Sequence, residues 1–300
     1  MSWITEFRDI DSQGLHFKVF KPAPELHGLV AYYWLLKCAQ PAPREAELML
    51  PDGFEEIIFS FGGSYKRTPV SGNKCVQNLE KSYLVGAKNQ SVMCSRYSVL
   101  NMVGVKLFPQ TLAALGRFPA ASIFNQPIEL KDFNIPLLCE LEDRIFHSNS
   151  EPSLIKQLNQ GLVKLLAHVE LDPTVSRSIK LIGQNRGCIS ISTITQKTSC
   201  HYRTLEKKFK NNIGMSPKQF AKNLRFATAF FDMTHNSAQF NLEKYGYYDP
   251  SHFSKEFRFF TGQTPRQFIL SRNDLSTHVF EHSHRSAKEL ESNAAKHNFT

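Results

Sequence analysis

The sequence holds little that would staple, anchor or catalyse. Its six cysteines (Cys38, Cys75, Cys94, Cys139, Cys188 and Cys200) are scattered along the chain with no CxxC pair. That usage favours free thiols in a reducing compartment over a disulfide framework. No apolar run approaches the roughly 18–20 residues that span a bilayer. The opening Met1–Glu6 lacks the basic start and apolar stretch of a signal peptide, so a cytoplasmic protein with no membrane partner is expected. Neither a Gly-x-Ser-x-Gly elbow nor a phosphate-binding Walker loop occurs. A metal-dependent cupin needs a His-x-His pair with a further Glu and His, and the whole stretch from Met1 to Glu140 holds only His16 and His27. The one His-x-His, His282-Ser283-His284 near His278, lies in a polar tail and reads as solvated surface. No catalytic residue, metal site or cofactor is therefore expected, and the chain does not read as an enzyme.

What is present is a globular chain. The length suggests roughly two domains. Apolar residues make up 41% of the sequence and aromatics 12%, with 24 Phe among them, which excludes a disordered polymer. The formal charge is +9, and its location says more than its size. Residues 1–171 hold 17 basic and 17 acidic side chains, whereas residues 172–273 hold 16 basic and six acidic, a net +10. Such asymmetry implies a polyanion partner for the second segment, nucleic acid or an anionic membrane.

The N-terminal part, up to Phe108, reads as strands, with candidates at 15–20, 29–36, 56–61, 82–86 and 99–108, punctuated by proline and glycine turns. Short strands with regular turn signals suggest a β-rich, barrel-like or sandwich domain of α+β class. From Pro136 the pattern turns helical. Leu154, Ile155, Leu158, Leu162, Leu165, Leu166 and Val169 form one apolar stripe, fit either to pack on its own domain or to join a dimer. Asp172-Pro173 starts a new helix. The expected division is a β-rich domain over 1–171, an all-α domain over 172–273 and a polar, disordered tail over 274–300.

The basic segment contains a repeat. Phe209-x4-Gly214-x-Ser216-Pro217-Lys218-Gln219-Phe220 recurs as Phe257-x4-Gly262-x-Thr264-Pro265-Arg266-Gln267-Phe268, with the same offset at every matched position. Leu205 and Phe209 are one helical turn apart and share the inner face of a short helix, as do Phe253 and Phe257. Gly214 and Gly262 suit a left-handed helix stop. Ser216-Pro217 and Thr264-Pro265 suit helix starts. With Ile189, Ile191 and Ile194 on a preceding helix and a turn at Thr198-Ser199, each unit reads as a helix-turn-helix.

These residues carry a family resemblance. The stretch from His201 to Phe209 (HYRTLEKKF) and the stretch from Gly246 to Pro265 (GYYDPSHFSKEFRFFTGQTP) resemble the two signatures of the paired helix-turn-helix domain of AraC/XylS-type transcription regulators. The resemblance covers about a third of the chain. It departs at His201, where the family usually has Ser, and at Pro250, often Gln. Ala238–Leu242 also lacks the usual apolar-Ala pair before Gly246, so the second scaffold helix is either less well packed or shifted in register by one position.

The resemblance implies two recognition helices in successive major grooves of double-stranded DNA, about 34 Å apart. Carried over residue by residue, it makes Arg203, Glu206 and Lys207 in the first helix, and Pro250, Ser251, His252 and Lys255 in the second, candidates for base edges. His201, Lys208, Lys210, Lys218, Arg258 and Arg266 become phosphate candidates. Leu50–Gly53, Glu56–Phe59 and Gly104–Pro109 resemble, more weakly, the β-rich N-terminal domain of some of these regulators, which implies a sensor or dimerisation role. A small-molecule effector, a homodimer and, for an activator, RNA polymerase are the expected further partners. Tyr32, Trp34, Phe59 and Phe61 are candidates to line a ligand-holding interior or simply to fill the core. Two alternatives remain: a non-specific architectural DNA binder, and a regulator-fused DNA-repair alkyltransferase, which the isolated cysteines disfavour.

Overall fold

The structure is a computed structural model that describes residues 4–9, 15–38, 46–70, 76–96, 99–116, 118–235 and 240–270. The tail at 274–300, with its His-x-His, and Cys75 lie outside the described residues.

The N-terminal region is β-rich. Its strands are β1 (Ile4–Asp9), β2 (Leu15–Phe20), β3 (Val30–Cys38), β4 (Glu47–Met49), β5 (Glu55–Gly62), β6 (Tyr65–Pro69), β7 (Gln77–Leu79), β8 (Tyr83–Val85), β9 (Val92–Arg96), β10 (Leu100–Leu107) and β11 (Pro127–Glu129). They form two antiparallel sheets, ordered β1-β2-β3-β10-β5-β8-β11 and β4-β9-β6-β7. Neither sheet closes on itself among the described residues, so the barrel-like expectation is corrected to a pair of open sheets.

The central strands are buried on both faces, which is why they read as apolar runs rather than alternations. Tyr33 and Leu35 of β3, Phe59 of β5, and Val103 and Val105 of β10 pack against helices on one face. Tyr32 and Trp34 pack with Phe17, Ile58 and Met102 on the other. The four aromatics expected to share an interior are thus split: Tyr32 and Trp34 on one face, Phe59 and Phe61 on the opposite one. Gly104 is required here, because a Cβ at that position would lie 1.9 Å from the Trp34 ring.

The helical side of the large sheet is covered by α1 (Thr111–Gly116), α2 (Pro136–Phe146) and α3 (Glu151–Leu166). Ser150 caps α3 by accepting a bond from Ser153 N at 3.3 Å, and Pro152 sits in the first turn. The leucine stripe of α3 is buried in the sheet core with Leu138, Leu141 and Ile145 of α2. Its own domain therefore occupies it, not a dimer partner. Asn159 on the same helix fixes the docking, its Oδ1 accepting from Ala23 N and from the Tyr33 hydroxyl, both at 2.8 Å.

The C-terminal region is all helical: α4 (Pro173–Gln184), α5 (Ile191–Thr198), α6 (Tyr202–Ile213), α7 (Pro217–His235), α8 (Pro250–Thr261) and α9 (Pro265–Leu270). Asp172 caps α4, accepting from Thr174 N at 2.9 Å and Val175 N at 3.1 Å. None of the described helices is long and apolar enough to cross a membrane.

The two regions share a seam. Leu48 and Leu50 enter the aromatic core around Phe226, Phe230, Phe257 and Phe260. Ala87 and Phe124 pack with the core of the first helical unit. Polar bonds cross as well: Asn223 Nδ2 donates to the Lys88 carbonyl at 2.8 Å, the Ser91 hydroxyl donates to the Phe260 carbonyl, and Gln110 Nε2 donates to Ser176 Oγ at 3.0 Å.

Candidate nucleic-acid interface

Each helical unit builds its outward face in the same way. In the first, Ser190 caps α5 by accepting from Thr193 N at 3.0 Å. Ser199 takes a left-handed φ of 50° and ends α5, so that Cys200 N reaches the Thr195 carbonyl at 3.1 Å. The chain then turns into α6. Leu205, Phe209 and Ile213 are buried with Ile194 of α5 and with Val175 and Ile182 of α4. That leaves Arg203, Lys207 and Lys210 exposed on the opposite side. Glu206 is half-buried and ion-pairs with Lys210 at 3.3 Å. Lys208 Nζ lies 2.5 Å from Asp172 Oδ2 and so ties α6 to the cap of α4.

The second unit repeats this plan at the offset of the sequence repeat. Asp249 caps α8, accepting from His252 N at 2.7 Å, with Pro250 in the first turn. Phe253, Phe257 and Phe260 are buried, whereas Pro250, Ser251, Lys255 and Arg258 are exposed. His252 is half-buried, its ring edge-on to Tyr247 at 5.2 Å between centroids. By position, Arg203, Lys207, Lys210 and Lys218 of the first unit correspond to Ser251, Lys255, Arg258 and Arg266 of the second.

The repeat motif has a local cause at each end. Gly214 and Gly262 stop α6 and α8 with φ of 85° and 75°, and their N–H groups reach the carbonyls of Lys210 and Arg258 at 3.1 and 2.9 Å. Ser216 and Gln219 then form a reciprocal capping box: Gln219 N donates to Ser216 Oγ at 3.2 Å, and Ser216 N to Gln219 Oε1 at 3.0 Å. Thr264 and Gln267 do the same at 3.3 and 2.9 Å.

The units differ in three places. His201, the N-cap of α6, makes no side-chain bond to the helix, whereas its counterpart Asp249 does. Before Gly246 the described residues form only a short 3-10 turn, Leu242–Tyr245, started by Asn241 Oδ1 accepting from Glu243 N at 2.9 Å. Asn241 therefore stands where an apolar residue was expected because it caps. The third difference is Tyr248, which is 95% exposed immediately before the α8 cap. In the sequence it is an ordinary member of the motif; only its exposure marks it as part of the outward face.

Behind α8 lies a buried ionic group. Glu256 accepts from Arg225 Nη2 at 2.8 and 3.1 Å and from the Tyr247 hydroxyl at 2.7 Å. Burial, then the Glu256 charge, holds the Tyr247 phenol well above its ordinary range. Burial alone would lower Arg225, but Glu256 and Tyr247 outweigh it and raise it.

Residues 194–271 match the family model of a helix-turn-helix domain, and residues 18–129 match a family described as a domain of unknown function, DUF6597. The C-terminal region is a helix-turn-helix domain of the AraC type. Among solved structures, the chain is similar to ToxT of Vibrio cholerae bound to (E)-4-(8-methylnaphthalen-1-yl)but-3-enoic acid, at 12% identity and a TM-score of 0.45 over 79% of this chain and 97% of that one. A second ToxT structure, with an unsaturated fatty acid bound, gives 14% identity and a TM-score of 0.42 over 88% and 97%. The AraC-like transcriptional activator CuxR gives 12% and 0.31 over 76% and 86%. No curated protein matches the chain. The matched domain lies within the +10 segment, and exposed cations of that segment stand on α6, α8 and the capped starts of α7 and α9, as well as at Arg177, Arg186, Lys197 and Lys244.

Proposed function

We propose that the chain is a sequence-specific DNA-binding transcription regulator, divided at 171/172 into a sensing region and a DNA-binding region. One observation carries the reading: α6 and α8 are both 12 residues long, occupy the same place in the sequence repeat, have matched stops and present basic outer faces. Arg203, Glu206 and Lys207 on α6, and Pro250, Ser251, His252 and Lys255 on α8, are the residues that read bases. His201, Lys208, Lys210, Lys218, Arg258 and Arg266 meet phosphates and set register. The β-rich region biases DNA binding in response to a small molecule or partner. A homodimer would place two such readers on one operator, and an activator would also touch RNA polymerase.

Selection from random duplexes tests the reading. A regulator enriches a bipartite site with half-sites one helical turn apart, and binds it at least ~10³-fold more tightly than random DNA at physiological salt. A ratio near unity would favour a non-specific architectural protein instead.

A further inference from the structure

A cleft of about 250 Å³ opens at the seam between the β-rich region and α4 and α7. Gly53, Phe54 and Phe108 wall it on one side, and Ile179, Phe220 and Leu224 on the other. Packed interiors leave few voids larger than a water molecule, and ligand cavities begin near this volume, at about 300 Å³. The lining is almost wholly apolar. Its charged groups are already accommodated: Asp52 pairs with the buried Lys106 at 2.5 Å, and Lys180 is half-buried, with access to water.

One polar group in the wall is left over. Gln110 is 1% exposed; its Nε2 bonds to Ser176 across the seam, while its Oε1 is buried with no partner among the described residues. A buried carbonyl oxygen without a donor is costly. Gln110 also holds φ at 82°, a conformation that glycine takes freely and glutamine does not. Strain of this kind persists where the surroundings fix it, often at a binding site. Here the fixed backbone starts α1, with Ala114 N on the Gln110 carbonyl at 2.9 Å, and places Gln110 among the residues that line the cleft.

We propose that this seam cleft is the effector site, and that it takes a compact, mostly apolar, uncharged molecule carrying one hydrogen-bond donor for Gln110 Oε1. The proposal rests on the reading of the β-rich region as the sensing part. It moves the site from the interior of the sheets to the seam. An occupant there touches both regions at once, so it binds the docked arrangement in preference to any other and shifts the equilibrium toward it. By linkage, DNA then changes the affinity for the occupant by the same factor as the occupant changes the affinity for DNA.

The test uses the full chain and two probes of the same shape: indole, which has one N–H donor, and benzofuran, which has none. Titration calorimetry is expected to show saturable 1:1 binding of indole, with benzofuran at least tenfold weaker. Gln110→Met removes the amide and should erase that difference. Leu224→Trp and, as a second variant against misfolding, Ile179→Phe fill the cleft and should abolish binding of both probes with the melting transition retained. Equal binding of the two probes to the unaltered chain, binding of neither, or indole binding that survives both filled variants would overturn the proposal. The same preparations are tested on the selected duplex. A chain that prefers its duplex yet binds no indole sinks the seam site alone. A chain with no duplex preference sinks the regulator reading and leaves the indole result to stand by itself.

Discussion

Lys208 and Glu256 stand at the same place in the two helical units and carry opposite charges. Each clamps its own helix to an earlier element: Lys208 ties α6 to Asp172 at 2.5 Å, and Glu256 ties α8 to Arg225 of α7 at 2.8 Å. The position is therefore a structural tie whose sign is set by the partner. Lys208, already engaged by Asp172, has less charge to offer a phosphate than the exposed Arg258.

The two ties differ in burial, so they should differ in worth. The Glu256 side chain is 5% exposed and Arg225 22%, against 34% for Lys208. Glu256→Ala strands a largely desolvated guanidinium and should cost about 3 kcal/mol. Lys208→Ala should cost about 1 kcal/mol or less. Urea unfolding of both variants checks this, and equal losses would refute the ranking.

Base and phosphate contacts should separate in binding assays. Arg203→Ala is expected to weaken binding to the selected site by ~1–3 kcal/mol and relax one base position. Arg258→Ala should weaken all sequences alike and lower the salt slope by about 1. Gel-shift titrations over a salt series on specific and random duplexes read both. An equal loss for Arg203→Ala on the two duplexes would count against a base contact.

His201 caps α6 without a side-chain bond, whereas the Asp249 carboxylate at the equivalent place accepts one from α8. His201→Ser supplies the missing acceptor and should stabilise the free protein by about 1 kcal/mol. A melting temperature that does not rise in the absence of DNA would show that the first turn is satisfied in another way.

The legible part of the molecule is the local part. The repeat, its glycine stops and its serine and threonine caps follow from rules that act within about one helical turn, and each stands where the sequence pattern puts it. What escapes is long-range. Very short strands, such as Glu47–Met49 and Gln77–Leu79, carry no periodic signal. Nothing in the local pattern assigns Tyr32 and Phe59 to opposite faces of one sheet, because both faces are apolar. The seam is invisible for the same reason, although Asp52, Gly53, Lys106 and Phe108, all in motif stretches, gather beside it.

Glu55 sets a pH dependence. It is fully buried at the start of α1, with Oε2 accepting from Leu112 N at 2.8 Å. Burial pushes its carboxyl up to about 8, against the opposing N–H groups of Leu112, Gln110 and Thr111. The folded state thus keeps its proton up to about pH 8, and the unfolded state loses it near 4.5. Between those values the folded state binds more protons, so this group makes stability fall as pH rises, by up to about 1.4 kcal/mol per pH unit. Glu55→Gln should remove that slope. Denaturation series across the window that show identical slopes in both proteins would overturn the assignment.

Leu50 tests whether the seam is structural for the second unit. It is 5% exposed and belongs to the same buried cluster as Phe226, Phe257 and Phe260, although it lies in the β-rich region. The Ser91 hydroxyl on the Phe260 carbonyl fastens the same corner. Leu50→Ala removes packing that no residue of the helical region supplies, so it should cost about 2–5 kcal/mol. The loss should also be directional. Hydrogen exchange should speed up along α8, whose inner face lies in that cluster, while α6, which packs on the separate core around Ile194 and Phe209, stays protected. Equal acceleration in both helices would mean that the two units respond as one body. No acceleration in α8 would mean that the β-rich region leans on the second unit without holding it.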